Sequence, residues 1–108
     1  MDPGESPEEA AVRELAEETG FHGTVQRVTP VIYCDPGLSD ASFRFVFVDV
    51  DLADPRNAAP RQRLDAGEAI AVLRVPEAGL LGTLERLARD TGCRVDAKCY
   101  ALALGMSL

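Results

Sequence analysis

Apolar and polar positions change period several times along this chain, and each change marks an element. From Pro7 to Thr19 the apolar residues Ala11, Val12 and Leu15 recur at helical spacing among charged neighbours. That pattern predicts an amphipathic helix whose apolar stripe lies on a sheet. The start is signalled locally: Ser6 caps, Pro7 occupies the first helical position, and Glu9 completes a capping box. Gly20 supplies the stop, with Phe21 placed to pack back on the last turn.

Beyond the helix the period shortens. Val25 to Cys34 reads as a strand that Pro30 bends or confines to an edge. Asp35-Pro36-Gly37-Leu38-Ser39-Asp40 is a turn. Phe43 to Val50 is broken early by Arg44 and then runs nearly continuously apolar, which predicts a buried strand. Ala53 to Asp65 is a polar loop carrying Pro55 and Pro60, and Glu68 to Val75 is expected to be a third strand. Leu80, Leu84 and Leu87 predict a helix over 80–88, and Tyr100, Leu102 and Leu104 a last one over 95–104. No repeat interrupts this order. The mixture is that of one α+β layered domain, the ceiling for 108 residues.

Composition narrows the partners. The net charge is −7, which argues against nucleic acid and anionic membranes and suits a protein that reaches phosphates through bound metal. No run of eighteen apolar residues exists, and Met1-Asp2-Pro3-Gly4-Glu5 has neither the basic nor the apolar part of a signal peptide. Cys34, Cys93 and Cys99 are odd in number and lack metal-type spacing. They are expected to be reduced, buried small hydrophobes in a cytoplasmic protein, with the nucleus as a second compartment.

The candidate chemistry sits on the first helix. Glu14, Glu17 and Glu18 are spaced to share one face, so they form an acidic patch beside Arg13. Like charges at this spacing repel by a few tenths of a kcal/mol per pair, roughly, and Arg13 offsets only part of that. A solvated acidic helix is the plain alternative. A hard divalent cation between the carboxylates gives the concentration a purpose. His22 is the only histidine and reads as a solvated loop residue, so no Ser/His/Asp set is available. Arg61 and Arg63 read as loop residues, with phosphate contact the lesser alternative.

The run from Glu5 through Arg13-Glu14-Leu15-Ala16-Glu17-Glu18-Thr19-Gly20-Phe21 closely resembles the Nudix box: Gly, five residues, Glu, seven residues, Arg-Glu-hydrophobic-x-Glu-Glu-x-Gly-hydrophobic. Every position from Glu5 onward is in register; the leading glycine would fall upstream of Met1. Tyr33-Cys34-Asp35-Pro36-Gly37-Leu38-Ser39-Asp40, Asp65-Ala66-Gly67-Glu68 and 95–104 are similar to the ADP-sugar pyrophosphatase group of that family, so the resemblance spans the chain.

The resemblance implies a partial Nudix domain over 1–108: an α/β/α sandwich with a mixed sheet, its N-terminal strands missing from this sequence. It implies Mg²⁺, or Mn²⁺, on Glu14 and Glu18, with Glu17 a further or water-mediated ligand. Arg13 and Glu5 would orient the helix, Glu68 would take the proton of the attacking water, and Asp35 would contact substrate. The expected reaction is hydrolysis of the diphosphate of ADP-ribose or another ADP-sugar to AMP and a sugar phosphate, by a protein that is a homodimer in the family. The alternative is a catalytically inactive remnant that acts by associating with a full-length partner. The chain is expected to be a fragment, a short isoform or the product of a mis-assigned start at an internal methionine.

Overall fold

The computed structural model describes residues 1–108 and divides into two compact units, Met1–Ala71 and Val72–Leu108. It is an α+β structure of three helices and short antiparallel strands.

In the first unit, helix α1 runs Pro7–Thr19. The Ser6 hydroxyl accepts from the Glu9 amide at 3.1 Å, and the Glu9 carboxylate accepts from the Ser6 amide at 3.1 Å, the reciprocal capping box. Gly20 ends the helix with φ 82°, its N–H donating to Ala16 O at 2.9 Å. α1 lies against strands β1 (Thr24–Val28) and β4 (Val46–Asp49). Ala10 and Ala16 are the two buried apolar residues of this unit, and Ala11, Val12 and Leu15 flank them half-buried. With alanines as its buried apolar residues, the core of this unit has little apolar volume.

β1 and β4 pair antiparallel, Val25 opposite Val48 and Val28 opposite Val46, with the register slipping between Val25 and Arg27. Gln26 is the extra residue of this bulge, so Val25 and Val28 both turn inward although they are three apart. The ladder then stops at Pro30, which has no N–H to give. Thr29 takes over at that point: its hydroxyl accepts from the Phe45 amide and its amide donates to Phe45 O, both at 2.9 Å.

The expected strand over 25–34 is therefore two, β1 and β2 (Ile32–Tyr33), and the expected strand over 43–50 is split into β3 (Ser42–Phe43), paired with β2, and β4. The second of these is not buried as predicted. Its residues alternate half-buried and exposed, because no further strand or layer covers the outer face. Phe43 instead meets Phe45 edge to face and Phe45 meets Phe47 at a tilt, with ring centroids 5.0 and 6.4 Å apart.

The expected third strand over 68–75 does not form. A turn at Asp65–Glu68, with Gly67 at φ 89°, delivers a segment exposed from Glu68 to Arg74. The Ile70 carbonyl is taken by the Gln62 side chain at 2.7 Å rather than by a neighbouring strand.

In the second unit, α2 (Leu80–Thr91) packs on α3 (Ala97–Met106). Asp96 caps α3 by accepting from the Lys98 and Cys99 amides, which sets the start two residues later than the apolar pattern suggests. Ala103 is the buried residue of this pair. The three cysteines are all exposed, against expectation: Cys34 sits beside a turn, Cys93 just past the end of α2 and Cys99 on the first turn of α3, none under a covering layer. No helix is long and apolar enough to cross a membrane.

Candidate functional site

Arg13 is the hub of α1. Its Nε and Nη2 donate to the two oxygens of Glu5 at 2.8 and 3.1 Å, a bidentate fork. Nη1 donates to Glu17 at 3.1 Å, and looser ion pairs reach Asp2 at 3.3 Å and Glu14 at 3.6 Å. Glu5 also accepts from the Asp2 amide at 2.9 Å, and its side chain is only 13% exposed. The Arg13 hydrogen bond, with the Asp2 amide behind it, holds the Glu5 carboxyl at about 2. The same fork drives Arg13 still further from deprotonation. Arg13 and Glu5 thus tie the loop before α1 to the middle of the helix.

This fork sorts the three helix glutamates. Glu17 is drawn to Arg13, whereas Glu14 is 51% exposed with only the long contact and Glu18 makes no ion pair. Glu14 also stands at the edge of an open groove of about 510 Å³ whose apolar lining includes Ala10, Ala11, Val31, Phe43 and Val46.

The C-terminal end of α1 is closed by distant residues, of which Asn57 and Gln62 were not singled out by the sequence. Phe21 N–H turns back to the Thr19 hydroxyl and His22 N–H goes to Asn57 Oδ1, so the carbonyls of Glu17 and Glu18 lose their usual helical partners. Arg63 N–H donates to Glu17 O at 2.6 Å, and Gln62 Nε2 donates to Glu18 O at 2.8 Å. Gly20 permits the approach: a Cβ there would overlap the backbone of Pro60 and Arg61. Asn57, 5% exposed, accepts from His22 N–H at 2.7 Å and donates to His22 O at 3.0 Å and Asp51 O at 2.8 Å. His22 is accordingly half-buried and pinned through its backbone rather than freely solvated. Arg61 and Arg63 keep exposed side chains, as expected of loop residues.

Glu68 lies at the end of its turn, where Oε1 accepts from the Asp65 amide at 2.7 Å. Asp35 opens the exposed turn ahead of β3, its carbonyl accepting from Leu38 and Ser39 at 3.0 Å. No three acidic, histidine or cysteine side chains come together in metal-binding geometry, so Glu68, Asp35 and the helix carboxylates do not form one ready-made cage. The donors still fit Mg²⁺ in kind. That ion takes oxygen ligands, commonly one or two carboxylates, with water and substrate phosphate completing the shell. Glu14, reached by Arg13 only at 3.6 Å, and Glu18, one helical turn further on and without an ion pair, are such a pair.

The family profile described as NUDIX domain matches residues 1–93. The chain belongs to the Nudix family. Among relatives, it is 41% identical to an uncharacterised Nudix hydrolase of Schizosaccharomyces pombe and 40% identical to the ADP-sugar pyrophosphatase of Mus musculus. It is 32% identical to the ADP-ribose pyrophosphatase of Saccharomyces cerevisiae. Each match covers 98% of this chain and 51%, 49% and 46% of the respective relative. This Nudix chain therefore spans about half the length of the curated relatives it matches. Within it, α1 with the preceding Glu5 is the stretch in register with the Nudix box, and the Arg13–Glu5 fork is its internal brace.

Proposed function

We propose that α1 is the metal platform of a diphosphate hydrolase acting on a nucleoside diphosphate sugar of the ADP-ribose class, with AMP and a sugar phosphate as products. The observation that carries this reading is the sorting of carboxylates on α1. Arg13 engages Glu5 and Glu17, leaving Glu14 and Glu18 as the pair open to a cation. The names of the mouse and budding-yeast relatives support the substrate class.

Mg²⁺ held by Glu14 and Glu18, with Mn²⁺ as a substitute and Glu17 as a water-mediated ligand, would neutralise the diphosphate oxygens. Arg13 and Glu5 fix the pitch of the helix relative to the preceding loop. Asp35 meets the substrate. Glu68 accepts one proton from the attacking water at a carboxylate oxygen as the water oxygen bonds to phosphorus and the bridging P–O bond breaks. The cytoplasm is the compartment this reading implies.

A second reading is favoured by the small core. Only Ala10, Ala16 and Ala103 are buried apolar residues, while Tyr33, Leu38, Leu52 and Leu73 are more than half exposed. Such a chain suits association with a second copy or a full-length homologue. The purified chain, incubated with ADP-ribose and Mg²⁺, separates the two. AMP release that disappears in Glu18→Gln supports the hydrolase. A folded circular-dichroism signal without turnover rejects it for this chain and leaves association, to be read by sedimentation.

A further inference from the structure

Gln62 joins two parts of the candidate site that otherwise share no contact through their carboxylates. Its Nε2 donates to Glu18 O at 2.8 Å and to Ile70 O at 2.7 Å. One acceptor belongs to the residue read as a metal ligand; the other lies two residues beyond Glu68. The two N–H groups of a primary amide can serve two carbonyls at once, which a hydroxyl cannot do. The bridge also answers a need at both ends. Glu18 O has lost its helical donor because His22 N–H is committed to Asn57, and Ile70 O has no strand partner because 68–75 is not in a sheet. Arg63 N–H on Glu17 O and the close seating of Pro60 and Arg61 on Gly20 hold the backbone of Gln62 at the helix end.

We propose that Gln62 is a positioning residue that sets the Glu68 turn against the C-terminal end of α1. The proposal rests on the assignment of Glu14 and Glu18 to the metal and Glu68 to the water. Gln62 touches neither metal nor substrate; it acts through the backbone of Glu18 and of the segment after Glu68. Its effect is on where Glu68 stands, not on whether α1 folds, because α1 has its own cap at each end.

The test uses the ¹⁵N-labelled chain as wild type, Gln62→Met and Gln62→Lys. Methionine keeps the length without a donor, and lysine restores N–H donors. Without metal, backbone order parameters at 68–71 are expected near about 0.85 in wild type, below about 0.6 in the methionine variant, and recovered in the lysine variant. Those of α1 should not change. Equal order at 68–71 in all three, or low order already in wild type, overturns the proposal, as does loss of order throughout α1.

Mn²⁺ alone is then added. Broadening should reach the Glu14, Glu18 and Glu68 amides in wild type, and in Gln62→Met should weaken at Glu68 only. Broadening of Glu68 that is absent in wild type, or unchanged in the methionine variant, while α1 broadens also overturns it. No broadening on α1 in wild type rejects the metal platform itself and leaves the bridge to be judged by the order parameters.

Discussion

Replacing Asn57 by alanine tests the polar lock behind the C-terminal end of α1. The side chain is 5% exposed and makes three hydrogen bonds, to His22 N–H, His22 O and Asp51 O. Each such bond contributes about 1 kcal/mol net, and a buried group left without a partner costs about 1–3 kcal/mol. Water entering the gap recovers some of this, so the expected loss is about 2–4 kcal/mol. A domain of this size has total stability of about 5–15 kcal/mol, so the change is a large share of it. Urea unfolding followed by far-ultraviolet circular dichroism should show a lower midpoint with an unchanged slope. Asn57→Asp is the sharper variant. It keeps the acceptor for His22 N–H but points carboxylate oxygen at two carbonyls, so it should be no more stable than Asn57→Ala. A loss below about 0.5 kcal/mol in Asn57→Ala, within the usual range of surface substitutions, would refute the lock.

Three further outcomes are expected. Glu5 has its carboxyl lowered from 4.5 to about 2 by Arg13, and Asp54 from 3.8 to about 2 by Arg56. Below the ordinary value the unfolded chain binds the proton first, so their stabilisation is full above about pH 4.5 and is lost as pH falls toward about 2. Thermal melts of Glu5→Gln should show a shallower acid limb than wild type, and superimposable limbs would contradict the Arg13 fork. Gly20→Ala meets a left-handed φ of 82° and the Pro60–Arg61 backbone; the conformation costs about 1–2 kcal/mol and the overlap about 1–3 more, so a change under about 1 kcal/mol in chemical unfolding would contradict the seating. Glu14→Gln and Glu18→Gln should each weaken Mg²⁺ binding by about tenfold or more in calorimetry, with Glu17→Gln weaker in effect; unchanged affinity in the first two rejects the ligand pair.

The helix was legible because all its signals are local. Ser6, Pro7 and Glu9 at one end, Gly20 at the other and the Arg13–Glu17 spacing lie within one short stretch, and each acts on a near neighbour. Legibility fails where the partner is distant. Gln62 meets the Glu18 carbonyl 44 residues away and Asn57 meets His22 35 residues away, and neither residue carries a local pattern that announces this. The segment 68–75 has the residue types of a strand, yet strand propensity needs a free neighbouring edge, and Ile70 O is occupied by a side chain instead. The cysteines failed for a related reason. Their burial was inferred from residue type, but burial is a property of layers, and this structure has no layer over those positions. Of the candidate site residues, the Arg13–Glu5–Glu17 brace emerged as geometry, while Glu68 and Asp35 emerged as turn residues whose chemistry rests on the proposed function.

The charges of α1 are arranged against its own stability. Its last turn carries Glu17 and Glu18 and no basic residue, although the carbonyl end of a helix favours cations by about 0.3–1 kcal/mol each. The Glu14–Glu17 and Glu14–Glu18 pairs add repulsion of a few tenths of a kcal/mol each, roughly. Arg13 is a single positive charge shared among Asp2, Glu5, Glu14 and Glu17, with its best geometry given to Glu5. The deficit is offset by backbone devices rather than by counter-charge: the Ser6–Glu9 box at one end, and Gly20 and Arg63 N–H at the other. A helix selected only for stability would place a lysine where Glu18 stands. Holding the fold with caps frees the carboxylates from that duty, and Glu18 is left with its charge unpaired at the end of the helix that least tolerates it. An external cation relieves both the pairwise repulsion and the unfavourable end charge, so the energetic fault in α1 is the same feature that suits it to bind one.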